Sequence, residues 1–411
     1  MDADRAQLLH NAPRMMKFIA LSLVLSLPLA AQGLDPLRNV SGTTSNPGGE
    51  SLWVRSEPSA SGWTFFHGFD AHVTYVSETG PEEQRNEIFS TNWFGAGVHK
   101  DLGSRGFVLV RGRVSLEPYT LPEDDGYPQI LQYISPEAGG PIIDRMRPHD
   151  LFGEAAVQVG WRPTQSTLLH VYGALVGDPA LGTAPSALRL SSVDFAEAPF
   201  SYDIQETFHD STSVVTAGFA TRWITLEGSV FHDTTFGGDE FTNIEDGDID
   251  SRSVRITLTP TPNVAIQASR GELGEDDLLQ RDITSFSLTY GTPSFAATLL
   301  YTNREHANEL RPSETAYGGE LALRGGRHSF MGRAEWVDRP EGFPIISNAL
   351  ATEQTTHFAV GYLFDFLSTN RYRAGVGINI DYHTQSHDLE EIYGHKPQSI
   401  YAFARLRSAA R

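Results

Sequence analysis

The chain has 411 residues, 40% hydrophobic and 10% aromatic, with 51 acidic against 31 basic residues and a formal net charge of −20. This length suits one large β unit or two ordinary domains, and the acidic balance argues against nucleic-acid partners. The absence of cysteine excludes disulfides, thiolate metal sites, cysteine nucleophiles and a lipidated N-terminal cysteine.

The chain opens with an address. "MMKFIALSLVLSLPLAAQG" has a positive charge at Lys17, an apolar core from Phe18 to Leu27, and small residues at Ala30, Ala31 and Gly33. That is the layout of a secretory signal peptide, and the apolar core is too short for a spanning anchor. The preceding residues 1–14 fit no signal, so translation is expected to start at Met15 or Met16. Residues 15–33 are read as the signal, with cleavage near Ala31–Gly33. Residues 34–61, rich in Ser, Gly and Pro, are read as a flexible lead-in. Beyond the signal there is no run of about 18 apolar residues, which a spanning helix would need.

From residue 62 to 411 a period of two dominates. "FVLVRGRVSLE" sets Val108, Val110, Val114 and Leu116 against Arg111 and Arg113. "LFGEAAVQVGW" sets Val157, Val159 and Trp161 against Glu154 and Gln158. "LLHVYGALV" sets Leu169, Val171 and Leu175 against His170 and Tyr172. Further along, Leu226 opposes Glu227, and Val254, Ile256 and Leu258 oppose Arg255. Tyr317, Leu321 and Leu323 oppose Glu320 and Arg324, and Phe330 and Trp336 oppose Arg333 and Glu335. In "RYRAGVGINIDYHT" one face carries Tyr372, Val376, Ile378, Ile380 and Tyr382; the other carries Arg373, Asn379, Asp381 and His383. Tyr372 and Tyr382 are ten positions apart. At about 3.3 Å per residue and a tilt of roughly 40°, that is about 25 Å along a membrane normal, the height of the apolar band of a transmembrane barrel. The period predicts sixteen strands, near 62–76, 88–99, 107–117, 151–161, 168–176, 212–221, 223–232, 251–258, 263–270, 282–290, 294–302, 316–324, 328–337, 355–364, 371–383 and 399–407.

The links then alternate between short turns ("RPTQST", "TPTP", "GTP", "GGR") and long segments such as 118–150 and 177–211. Short periplasmic turns alternating with long outside loops mark an outer-membrane barrel. In hydrocarbon, strands span only as a closed sheet, because every backbone polar group must be bonded within the protein. The expected fold is all-β: a transmembrane antiparallel up-and-down β-barrel of about sixteen strands. Trp161, Tyr317, Trp336, Tyr372 and Tyr382 are its expected aromatic girdle. Its lumen is expected to be lined by Arg111, Arg113, Glu154, Gln158, His170, Tyr172, Glu227, Arg255, Glu320, Arg324, Arg333, Glu335, Arg373 and Asp381.

The stretches "GYPQILQYISPEAGGPIIDRMRPHDLFGEAAV" and "SRSVRITLTPTPNVAIQASRGEL", with "STNWFGAGVHKDLG" and "GALVGDPALGTAPSALRLSSVDFAEAPFSY", resemble a largely uncharacterised, porin-like family of bacterial outer-membrane β-barrel proteins. The resemblance covers most of the mature chain and implies the barrel architecture, not a particular activity. Members of that family often have a second histidine where Arg147 stands here, which weakens a metal reading of His149.

Motifs for catalysis are absent: H-E-x-x-H, the phosphate loop and G-x-S-x-G do not occur. No cofactor is expected. "IEDGDIDS" offers Asp246, Asp248 and Asp250 as calcium ligands but lacks the Gly and Glu of an EF-hand register, so a solvated loop is the favoured reading. "YHTQSHDLEEIYGH" offers His383, His387, Asp388, Glu390 and His395 as zinc or copper donors; a hydrated loop is again favoured.

A sixteen-strand barrel is wide enough for an aqueous channel, and opposed lumen charges tune which solutes pass. The expected function is a porin-like barrel that lets small hydrophilic solutes or ions diffuse through a water-filled lumen narrowed by long loops. "PALGTAPSALRL" and "FAEAPF" are too apolar to stand in water, so residues 177–210 are expected to fold over or into the barrel mouth. The acidic segment 233–250 suggests a mild cation preference. The alternatives are a closed barrel whose outside loops bind a metal ion or ligand, and a barrel lipid hydrolase, for which no convincing Ser–His pair is present. TonB-type active transport is disfavoured because no plug domain precedes the first strand. The expected surroundings are the lipids and lipopolysaccharide of a Gram-negative outer membrane, with a homotrimer as a possible assembly.

Overall fold

A computed structural model describes residues 34–48, 54–79, 86–121, 127–131, 145–146, 149–206, 208–209, 211–234, 242–245, 247–274, 280–307, 312–340, 352–384 and 395–409. The upstream residues 1–14 and the signal segment 15–33 lie outside them.

Sixteen antiparallel strands close into one barrel. In chain order they are β1 (Trp63–Glu78), β2 (Asn86–Leu102), β3 (Gly106–Val114), β4 (Phe152–Thr164), β5 (Thr167–Val176), β6 (Thr212–Thr221), β7 (Ile224–His232) and β8 (Ser251–Thr261). The second half comprises β9 (Val264–Leu273), β10 (Arg281–Gly291), β11 (Phe295–His306), β12 (Glu314–Gly325), β13 (His328–Pro340), β14 (Thr352–Ser368), β15 (Tyr372–Thr384) and β16 (Gln398–Ser408). Each strand pairs with its sequence neighbours, and β16 closes on β1 from Ser399↔Glu78 to Arg407↔Asp70. A short strand, Val54–Pro58, continues that seam by pairing with Thr64–Gly68 below the end of β16. All sixteen predicted strands are present. Several run longer than their apolar pattern, as in β2 and β14, because pairing continues past the membrane edge where outward residues need not be apolar.

The links at one end are two or three residues long, as at 103–105, 165–166, 262–263 and 326–327; the other end carries the long ones. Gly103 and Gly326 adopt φ of 68° and 62°, the left-handed conformation that a tight hairpin requires and that glycine takes without a Cβ clash.

The wall divides sharply by face. Every strand exposes large apolar side chains outward, among them Ile88, Val110, Val159, Leu175, Val254, Leu299, Phe330, Val360 and Ile400. An apolar surface continuous over a whole barrel far exceeds the few hundred Å² that soluble monomers expose. Its solvent is lipid. Of the residues expected to form a girdle, Trp161, Tyr317, Tyr372 and Tyr382 are exposed on this outer face. Trp336 is half-buried there because its ring stacks on Tyr317 at 5.5 Å. Among the described residues no helix is long and apolar enough to cross a membrane.

The interior is filled further than the water-filled lumen, narrowed by long loops, expected of sixteen strands. The segment after β5, residues 177–211, turns inward, and almost all of its described residues are buried. Residues 34–48, read from sequence as a flexible lead-in, also lie inside, with a small hairpin at Asn39–Ser41 and Thr44–Ser45. The packed interior follows from composition: Leu181, Leu188, Phe195, Phe200 and Phe208 in the inserted segment are stabilised by burial, and the lumen is where burial is available.

Candidate functional site

The lumen is where charge converges, and the period of the strands puts it there. Alternate residues of a strand face one side, so Glu320, Arg333, Glu335, His357, Asp381, Arg405 and Arg407 all point inward from β12 to β16 and are buried. The inserted segment meets them with three charged residues. Arg189 donates from Nε and Nη2 to the two oxygens of Glu320, each at 2.8 Å, and from Nη1 to Glu206 at 2.9 Å. Asp194 accepts from Arg324 at 2.6 Å, Arg405 at 2.5 Å and Arg407 at 2.9 Å. Glu197 accepts from Asn379 and lies 3.7 Å from Arg333, whose guanidinium covers the Phe195 ring at 4.2 Å. Beyond it, the backbone amides of Phe200 and Ser201 donate to Glu335 at 2.9 and 3.1 Å. The segment therefore crosses the lumen and is tied to the far wall by ion pairs, while Leu181 and Phe208 pack near its base with Tyr172, Phe231 and Ile283.

Electrostatics inside this closed space follow from the partners. Burial would raise the Asp194 carboxyl, but Arg324, Arg407 and Arg405 outweigh it and hold it far below the usual carboxylate range. Glu197 goes the other way. Burial, reinforced by Asp381, pushes it up to about 8 against the opposing pull of Arg333, Asn379 and His357. Asp178, at the start of the segment, is held below its ordinary value: burial acts upward, but His209 at 3.1 Å and Arg113 at 3.7 Å prevail.

The N-terminal segment fills the opposite side. Arg111 donates to the carbonyls of Asn39 and Gly42 and to Glu154 at 2.7 Å. Arg113 donates to Ser41, and Arg255 to Thr43, Thr44 and Glu227. Gly42 is required where it stands: its φ is +51°, and a Cβ would come within 2.5 Å of the Asp178 carbonyl oxygen. Two small gaps are found beside these contacts. One lies between wall and inserted segment, against Asp70, His72, Trp93, Glu117, His149 and Glu197; the other lies beside the N-terminal hairpin, against Gln158, His170, Glu227 and Gln267.

Of the residues singled out from sequence, Arg113, Glu154, Gln158, His170, Tyr172, Glu227, Arg255, Glu320, Arg333, Glu335 and Asp381 are buried within the barrel. Arg111 and Arg324 are held there by the contacts given above. Gln158 bonds Asn39, Tyr172 donates to Glu154 at 2.9 Å, and His170 faces Glu227 at 3.3 Å. Arg373, across from Arg407 in the register, is half-buried near the short-turn end. The wall residues thus contact protein rather than an open channel.

The loop clusters fare differently. Asp250 does not converge with Asp248: its carboxylate accepts from the Asp233 amide and the Ser251 hydroxyl and pairs with His232 at 2.8 Å, while Asp248 offers its carbonyl to His232. Asp246 lies outside the described residues, as do His387, Asp388 and Glu390; His395 is exposed. His149 pairs with Glu117 at 2.8 Å and packs edge-on against Trp93. His383 sits in the wall beside His357 and Asp381.

Sequence reasoning passed over Arg189, Asp194, Glu197, His357, Arg405 and Arg407. The last three were legible: "SIYAFARLRS" and "THFAVGYL" alternate as the other strands do, and their inner positions carry these charges. The first three are lone charges in an apolar loop, a signal that gains meaning only once the loop is known to enter a charged lumen.

A closed sixteen-strand barrel with an apolar exterior, a charged interior and an inserted loop is an outer-membrane barrel of the porin fold. No family model matches the sequence, and no curated protein matches it. Among solved structures, the chain is similar to the Salmonella typhi OmpF complex with daunomycin, with a TM-score of 0.56, 8% identity and coverage of 86% of this chain and 99% of that one. It is also similar to an anion-selective porin from Comamonas acidovorans (TM-score 0.50, 10% identity, 84% and 99% covered). A third similar structure is the outer membrane channel DcaP of Acinetobacter baumannii (TM-score 0.50, 9% identity, 86% and 99% covered). At such identities the likeness is one of fold.

Proposed function

We propose that this protein is a diffusion channel for small hydrophilic solutes or ions whose lumen is closed at rest by residues 177–211 and opened by their displacement. The observation that carries the reading is how the inserted segment is held. It docks on the far wall through Arg189, Asp194 and Glu197, against a lumen face rich in Arg, Glu, Ser and Thr. Such a face is well solvated by water once uncovered, so an open state is accessible; an apolar lumen would leave the chain no alternative to the packed state. Opposed charges then select among solutes, as rings of charged side chains do in other pores.

Single-channel recording of the refolded protein in a planar bilayer tests this. Deleting residues 180–200 should convert a mostly silent protein into one with steady, higher conductance. A folded deletion variant that stays silent would refute the channel. It would favour the second reading, a closed barrel whose outside loops bind a ligand, for which the packed lumen speaks. Assembly as a homotrimer belongs to the same proposal and is checked by the mass of the protein in detergent.

A further inference from the structure

We propose that the wall of the barrel holds one divalent transition-metal ion, of the zinc class, on His357, Asp381 and His383. His357 on β14 lies directly opposite His383 on β15, and Asp381 precedes His383 by two residues on the same inward face. One donor atom from each lies within 4.8 Å of the others, and all three residues are buried. The imidazole rings lie 4.7 Å apart with 24° between their planes, and Phe200 of the inserted segment covers them at 5.6 and 5.4 Å. Strand period and register alone therefore gather two imidazoles and a carboxylate on one patch.

Three observations favour an ion over a simple hydrogen-bonded cluster. First, His357 Nδ1 lies 2.8 Å from Glu335, while Nε2 is turned to Asp381 at 3.1 Å. A carboxylate behind one ring nitrogen fixes the tautomer and aims the other at a metal, the usual outer-shell arrangement of a ligating histidine. Second, the surrounding buried network is short of positive charge. Among the described residues, Glu206, Glu320, Glu335 and Asp381 have two guanidiniums, Arg189 and Arg333, and the His357 ring as their partners. Four carboxylates against two guanidiniums, buried together, are costly without further cations. Protonating His357 would supply one charge; a divalent ion beside Asp381 supplies two. Third, Asp381 Oδ1 is fully buried and accepts no hydrogen bond among the described residues. Buried acceptors are normally satisfied, and a cation satisfies this one.

The donor set names the ion class. Two imidazoles with one carboxylate suit Zn²⁺ and its borderline neighbours, whereas Ca²⁺ and Mg²⁺ take oxygen ligands. Three protein donors leave a fourth position for water or another ligand. Because Glu335 also receives the amides of Phe200 and Ser201, the ion would stiffen the contact between wall and inserted segment. The inference does not depend on whether the barrel conducts.

The ligands are shut off from solvent, so the test loads metal during refolding. The mature chain is refolded into detergent with and without Zn²⁺, freed of loose ions by gel filtration, and its metal content measured. Folding is followed separately by heat-modifiable gel mobility. Wild type should retain one Zn²⁺ per chain, and H383Q and D381N less than a tenth of that. A double variant of the outside-loop histidines, H387Q with H395Q, should retain the full equivalent. Refolding wild type with Co²⁺ should give the visible spectrum of a low-coordinate nitrogen and oxygen site, which decides the matter should D381N fail to fold. Folded wild type without metal, retention unchanged in H383Q, or loss in the loop double variant would each overturn the proposal.

Discussion

Replacing Asp194 by Asn tests what holds the lumen shut. The change keeps the shape of the side chain and removes the one carboxylate that Arg324, Arg405 and Arg407 share. Arg405 retains Asp365 at 2.7 Å, and Arg407 retains Asp70. Among the described residues Arg324 alone keeps no carboxylate; its remaining side-chain bond there is to the Leu190 carbonyl at 2.5 Å. Removing one partner of a buried pair costs about 3–5 kcal/mol. With two of the three arginines still partnered, the lower end applies, about 3 kcal/mol. Since about 1.4 kcal/mol is a factor of ten, the ratio of undocked to docked segment should rise roughly 100-fold. The readout is the fraction of time open in planar bilayers, with folding checked by heat-modifiable mobility and D248N as a loop control. A folded D194N protein that opens no more often than wild type would refute the argument that this ion cluster latches the segment.

Other expectations follow from the same structure. Glu197 is raised to about 8 by burial beside Asp381, opposed by Arg333, Asn379 and His357. Its neutral form therefore favours the docked state: the contribution is complete below the unfolded-state value near 4.3 and is lost as pH rises through about 8. In protein refolded without added metal, opening should increase between pH 6 and 9, and E197Q should flatten the profile; an unchanged profile in E197Q would count against this role. Asp194 is depressed, so its contribution persists above the ordinary carboxylate range and is lost only in stronger acid, as pH falls through its lowered value. Mild acid should therefore not release its latch, and a rise in opening between pH 7 and pH 5 in wild type that is missing from the already open D194N would contradict this. On the outer face, Ile256 lies at the middle of β8 and is exposed to lipid. Ile256→Arg should destabilise the barrel by about 2–4 kcal/mol, seen as a lower urea midpoint in refolding into vesicles; an unshifted midpoint would argue that this face does not meet hydrocarbon.

The barrel was readable along the chain because its two solvents are separated by a period of two. Val254, Ile256 and Leu258 against Arg255, or Tyr372 to Tyr382 against Arg373 to Asp381, declare a lipid side and an inner side with no knowledge of any partner strand. The alternation of short and long links gave strand number and direction for the same local reason. What lies inside is another matter. The apolar residues of 177–211 show that the segment seeks burial, but not that it crosses the barrel to Glu320, Arg405 and Asn379, between 100 and 220 positions further on. The N-terminal hairpin is more hidden still, since its contacts to Arg111, Arg113 and Arg255 use backbone carbonyls and small hydroxyls that leave no pattern.

The cluster of His357, Asp381 and His383 shows where the division falls. Sequence by itself determined that each of these residues points inward, because side-chain direction along a strand is a local property. Only the tertiary structure decided that His357 meets His383 across a strand pair, and that Asp194 gathers three arginines from two strands. Register and loop insertion are set by closure of the whole sheet and by the lowest-energy arrangement of every buried charge at once, neither of which any short stretch of chain contains.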